Sequence, residues 1–135
     1  MADYESCATR PDNLIHFQAG DFRADVYLDR LIDLPVTNIR KLFKLMLSEP
    51  CSNREAIEAT TAYLDAAVHA SNDAWGEASK EFVHGWRKVD NPKSRHPAVV
   101  EKLKNNKRLT RTVKAAKARY ERWVKIQTIW ANATR

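Results

Sequence analysis

Between Asn53 and Val89, apolar residues return at helical spacing with no break in phase. With Ile57 set to 0° and a step of 100° per residue, Leu64, Val68, Trp75, Phe82 and Trp86 all fall within about 20° of one line. The stripe passes through Gly76 unchanged. A glycine there costs about 1 kcal/mol against alanine, which a long helix absorbs, so the spacing predicts one helix over 53–89 rather than two. Ser52 followed three residues later by Glu55 is a capping-box start. At 1.5 Å per residue this helix is about 50 Å long. Ala56, Ala59, Ala67, Ala70, Ala74 and Ala78 flank the stripe and allow a neighbour to pack closely. Trp75, Phe82 and Trp86, like Tyr120, Trp123 and Trp130 further on, read by their spacing as core or oligomer seam rather than as base-stacking platforms.

A second long helix follows. Asn91-Pro92 and His96-Pro97 are breakers, and Pro97 suits a first helical turn, where its missing N–H is no loss. The pattern predicts a helix over 98–131. With Lys104 at 0°, Leu109, Val113, Ala116, Tyr120, Trp123, Val124 and Trp130 occupy roughly 80° to 200°. Lys107, Arg108, Arg111, Lys114, Arg122 and Lys125 occupy almost the opposite side, interrupted by Val100 and Ile126. Two amphipathic helices joined by a short breaker-rich turn make an antiparallel hairpin.

The N-terminal part is less regular. Residues 1–20 show no sustained period, and Leu14, Ile15 and Phe17 read as an irregular anchor on the body. A short helix is expected over 24–33, capped by Asp21 or Asp25, with Leu28, Leu31 and Ile32 inward and Pro35 as its stop. Another is expected over 39–48, capped by Thr37 or Asn38, with Ile39, Leu42, Phe43 and Met46 on one face and Pro50 beyond its end. With 3 Gly and 5 Pro in 135 residues, the chain is poor in the turns a barrel or sandwich needs. The expectation is an all-α fold: a long antiparallel two-helix hairpin flanked by two short N-terminal helices, four-helix-bundle-like, in one helical domain over 21–135.

Charge divides the chain. Met1 to Trp86 holds 8 basic and 14 acidic residues, and Arg87 to Arg135 holds 15 basic and 3 acidic ones. A solvated helix face normally mixes signs, yet only Glu101 and Glu121 are acidic in the last helix. Lys104, Lys107, Arg108, Arg111, Lys114, Arg122 and Lys125, extended by Lys93 and Arg95 in the hinge, are therefore the expected nucleic-acid-binding residues, because affinity for a polyanion comes largely from many Lys and Arg near phosphates. DNA and RNA are both open, since no base-reading module is present. The alternative is a protein-interaction module, an inhibitor or assembly factor, docking on an acidic partner.

Other constellations carry less. Asp21, Asp25, Asp29 and Asp33 recur every four residues. As helix residues they form an acidic face, read simply as solvated and capping, or functionally as a docking surface for a basic partner. Ile129 and Trp130 are expected at an exposed apolar tip, which favours a homodimer. The segment joined by Leu34-Pro35-Val36-Thr37 has helix-turn-helix dimensions, but its first helix is acidic and its turn lacks glycine, so it reads as a cap on the hairpin. Asp65, His69 and Asp73 share a helical spacing, with no carboxylate cluster on the last helix to complete a metal site. His84 and His96 read as surface or capping residues. No Gly-rich phosphate loop, H-E-x-x-H or G-x-S-x-G occurs, so a non-enzymatic protein without cofactor is expected. Cys7 and Cys51 fit neither a disulfide scaffold nor a zinc pattern. No secretory leader or 18-residue apolar run is found. A cytoplasmic protein is expected, of a cell or of a phage acting there, with no membrane partner.

Overall fold

The structure is a computed structural model and describes residues 14–19, 22–48 and 54–135. Its elements are strands β1 (Leu14–Ala19) and β2 (Phe22–Tyr27), a 3-10 helix (Leu28–Asp33), α1 (Val36–Met46), α2 (Arg54–Gly85) and α3 (Pro97–Ala133). The body is helical as expected. The long helices α2 and α3 are in tight antiparallel contact, with the short N-terminal helices flanking them.

The chain ahead of that body departs from expectation. The stretch expected to be irregular contains β1, and the expected helix over 24–33 is instead β2 as far as Tyr27, then a 3-10 helix. The antiparallel register sets Ile15 opposite Val26, Phe17 opposite Ala24 and Ala19 opposite Phe22, while His16 meets Asp25 and Gln18 meets Arg23. Apolar residues are thus paired with apolar ones and polar with polar, the period-2 arrangement of a strand. Asp25 consequently stands in a strand, while Asp29 and Asp33 are exposed on the 3-10 helix. The acidic helical row expected of Asp25, Asp29 and Asp33 does not form.

Helix α1 starts three residues before the expected Ile39. Pro35 is its N-cap, and the Pro35 carbonyl accepts the Ile39 N–H at 3.0 Å. Thr37 and Asn38 therefore lie inside the first turn and cap nothing. In α2, Glu55 stands in the first turn, while its expected capping partner Ser52, like Cys7 and Cys51, lies outside the described residues.

The residues fall into two compact units, residues 1–68 with 122–135 and residues 69–121. The first holds the main core, built from Leu28, Leu31, Ile39, Phe43, Met46, Ala56, Leu64, Trp123, Ile126 and Trp130. Trp130 is 2% exposed, not the exposed tip expected of it. Its ring meets that of Phe43 edge-on, with centroids 4.8 Å apart. Its indole N–H donates to Thr61 Oγ1 at 2.8 Å, and that hydroxyl donates in turn to the Ile57 carbonyl at 2.9 Å. Ile129 is half-buried against the same core. The Trp130 ring is thus not exposed for a partner as expected, because Phe43 of α1 packs against it. Tyr63 packs edge-on against Trp123, and Gln127 Nε2 donates to Asp65 at 3.2 Å. Leu28 and Leu31 of the 3-10 helix belong to this core, the capping role expected for the segment.

In the second unit, Trp75 lies against Tyr120 with ring centroids 5.5 Å apart, and Lys117 Nζ sits 5.9 Å from the Trp75 centroid. The end of α2 is held from α3. Asn105 Nδ2 donates to the Gly85 carbonyl at 2.9 Å. Asn106 accepts the Arg87 N–H at 2.9 Å and donates to the Arg87 carbonyl at 2.7 Å. The Arg87 guanidinium donates to the His84 carbonyl at 2.7 Å. These bonds satisfy carbonyls that a helix end leaves orphaned, and they stop α2 at Gly85, short of the expected Val89.

The buried lines of both helices run at a period of 3.5. In α2, Leu64, Ser71 and Ala78 are buried seven residues apart, with half-buried Ile57 and Gly85 continuing the line at either end. In α3, Leu109, Trp123 and Trp130 are buried and Ala116 is half-buried on another seven-residue line. A 3.5-residue repeat drifts about 20° per heptad from the 3.6 of a straight helix. In the 3.5 frame, Trp75 and Phe82 stand about 50° off the Ile57 line, and Trp86 about 100° off it. The small residues therefore carry the buried line of the second unit, with Trp75 and Phe82 half-buried beside it and Trp86 exposed.

Candidate nucleic-acid interface

Of the residues expected to meet nucleic acid, Lys104, Lys107, Arg111 and Lys114 form one line along α3, because their spacing of three, four and three residues keeps them on one side of a helix. At 1.5 Å per residue the line is about 15 Å long. All four are exposed. Among the described residues none of them pairs with a carboxylate. They border an open groove of about 760 Å³, whose lining also includes Trp86, Val100, Leu103, Asn106 and Thr110.

The rest of the expected set is distributed around this line. Arg108 is exposed and donates to Asn105 Oδ1 at 3.1 Å, which orients its guanidinium toward the end of the clamp on α2. Lys93 and Arg95 are exposed in the segment before α3, where the Asn91 side chain accepts the Lys93 N–H at 3.2 Å. Arg122 and Lys125 belong to the other unit. Arg122 is half-buried and donates to the Leu34 carbonyl, a link from α3 to the turn after the 3-10 helix. Lys125 is exposed, and its neighbour Ile126 is fully buried in the core. The basic line thus belongs to residues 104–114, and Arg122 acts as an anchor of the fold.

Trp86, expected in the core or at an oligomer seam, is not in the core: it is 44% exposed and lines the groove beside the cations. Phe82 lies behind it, with ring centroids 6.4 Å apart. The backbone on either side is pinned, at Gly85 by Asn105 and at Arg87 by Asn106. The signal that locates it is the line of small residues Ser71, Ala78 and Gly85 seven apart, which turns the seam away from Trp86.

The second unit carries 13 basic and 6 acidic residues, a net charge of +7 that exceeds the +6 of the whole chain. The entrance to α3 is ordered by local bonds. Ser94 Oγ accepts the His96 N–H and His96 Nδ1 accepts the Ala98 N–H, each at 3.2 Å, so His96 caps the helix as one of its two expected roles. Among the described residues there is no group of three or more His, Cys, Asp or Glu side chains able to hold a metal ion, and no helix long and apolar enough to cross a membrane.

No protein-family model, curated protein or solved structure matches this chain.

Proposed function

We propose that this protein binds nucleic acid through the Lys104–Lys107–Arg111–Lys114 line, with little sequence preference. The observation that carries the reading is four exposed cations without carboxylate partners among the described residues, on one side of one helix beside a half-exposed tryptophan. A regular row of point charges suits a regular polyanion, since each phosphate neutralised releases condensed counterions. Flexible Lys and Arg side chains reach phosphates and fix affinity without reading base edges. Arg111 adds a planar fork that bonds phosphate in two places.

The test compares two triple charge reversals, Lys107/Arg111/Lys114→Glu and Arg40/Lys41/Lys44→Glu, by fluorescence anisotropy on labelled oligonucleotides at low salt, with helicity checked by circular dichroism. Loss of binding in the first variant and its retention in the second supports the reading. Loss only in the second moves the surface to α1. If the wild-type protein binds no probe, the nucleic-acid reading fails and the acidic protein partner takes its place.

A further inference from the structure

We infer that the nucleic acid taken by this groove is single-stranded, and that Trp86 is the platform on which one of its bases stacks. The inference rests on the nucleic-acid reading above and narrows its ligand. Three observations carry it.

The first is the state of Trp86. Trp123 and Trp130 are 3% and 2% exposed, whereas Trp86 leaves 44% of its surface open. Leaving a large aromatic ring in water forfeits the free energy of its burial. Here the ring faces a groove and not a neighbouring side chain on every side.

The second is that the backbone carrying the ring is held in place and the ring has an aromatic neighbour. Asn105 and Asn106 fix the backbone immediately before and after it, and Phe82 supports it from within α2. A platform that is ordered before binding loses little freedom on binding.

The third is the composition of the groove. Its lining combines apolar Trp86, Val100 and Leu103 with the cations Lys104, Lys107, Arg111 and Lys114. A duplex presents phosphates outward and keeps the faces of its bases inside the stack, so the apolar lining residues gain nothing from it. A single strand presents phosphates and unstacked base faces together. That pairing of aromatic platform and basic track is what sequence-tolerant single-strand binding uses. Arg111 also provides a flat cation able to stack on a neighbouring base.

The experiment measures anisotropy of labelled oligothymidine of about 16 nucleotides, a length within single-strand site sizes, and of a mixed-sequence duplex of equal length. Wild type, Trp86→Ala and Trp86→Phe are compared at one low salt concentration after a circular dichroism check. The expected result is tighter binding of the single strand by wild type. Trp86→Ala weakens that binding about tenfold and leaves duplex binding within twofold, while Trp86→Phe stays close to wild type. Oligothymidine also quenches tryptophan emission in wild type and does so much less in Trp86→Phe. Equal affinity for both probes, with Trp86→Ala affecting both alike or neither, overturns the single-strand inference and leaves the nucleic-acid reading intact. If wild type binds neither probe, that reading falls and this inference with it, and an acidic amphipathic protein segment becomes the occupant to pursue.

Discussion

Asn106 closes both of its amide hydrogen bonds on the backbone of a single residue, Arg87, accepting its N–H at 2.9 Å and donating to its carbonyl at 2.7 Å. Nineteen positions separate the two residues in the chain, and the contact fixes where α2 ends relative to α3 within the second unit. It also sets the position of Trp86, one residue earlier. Asn106→Ala removes both bonds from a partly buried backbone and is expected to cost about 1–2 kcal/mol. Urea unfolding should show a lower midpoint at unchanged slope. A midpoint equal to wild type would mean that water replaces the amide without loss.

The two described glycines should respond in opposite directions to alanine. A Cβ built on Gly76 meets nothing within 4 Å, so the helix passes through it without using the space. Gly76→Ala should stabilise the protein by roughly 0.5–1 kcal/mol. At Gly85 the added Cβ would stand 3.1 Å from a Leu109 methyl carbon. Gly85→Ala should lower the thermal midpoint, since that leucine is buried and has little room to give. Thermal unfolding of the pair, read together, checks both signs.

Trp130 and Trp86 should differ sharply as probes. Trp130→Ala is expected to cost about 3–5 kcal/mol, the range for emptying a large buried aromatic site. Thr61→Val should cost about 1–2 kcal/mol by leaving the indole N–H without its acceptor. In acrylamide quenching, Trp86→Phe should remove most of the readily quenched emission, because Trp123 and Trp130 are buried and Trp75 is half-buried. Undiminished quenching in Trp86→Phe would contradict the placement of that ring.

The cap at the start of α3 gives a further check. His96 Nδ1 receives the Ala98 N–H. His96→Ala should cost about 0.5–1 kcal/mol, and His96→Asp should recover the loss, since a carboxylate both accepts this bond and favours a helix N-terminus. Chemical denaturation of the three proteins at neutral pH measures the series.

The basic line and the two long helices were legible because each is a local pattern. Lys104, Lys107, Arg111 and Lys114 keep their relation at any helical period near 3.6. The distal seam was less legible because a 100° step accumulates error over a long helix. From Ile57 the 3.5-residue repeat leads to Ser71, Ala78 and Gly85, while the 3.6-residue step leads to Trp75, Phe82 and Trp86. The aromatic mass of the latter drew the core toward them, although small residues are what let two helices approach. The hairpin was legible in principle. Residues 15–19 and 22–26 each alternate apolar and polar residues, and the aspartates spaced by four obscured that period of two. Trp130 shows the other limit, since its cover, Phe43, comes from a helix far away in sequence, and no local pattern predicts that contact.

If the α3 cations meet phosphates, binding must depend on salt through them. For the single-stranded oligothymidine probe, the logarithm of the association constant should fall linearly with the logarithm of salt concentration. Replacing Lys107, Arg111 and Lys114 together by Gln should flatten that slope by about 2, from a contribution of roughly 0.7 per phosphate contact on a single strand. The α1 variant Arg40/Lys41/Lys44→Gln should leave the slope unchanged. A slope that is the same in wild type and in the α3 variant would mean that these side chains release no counterions and do not meet the phosphates.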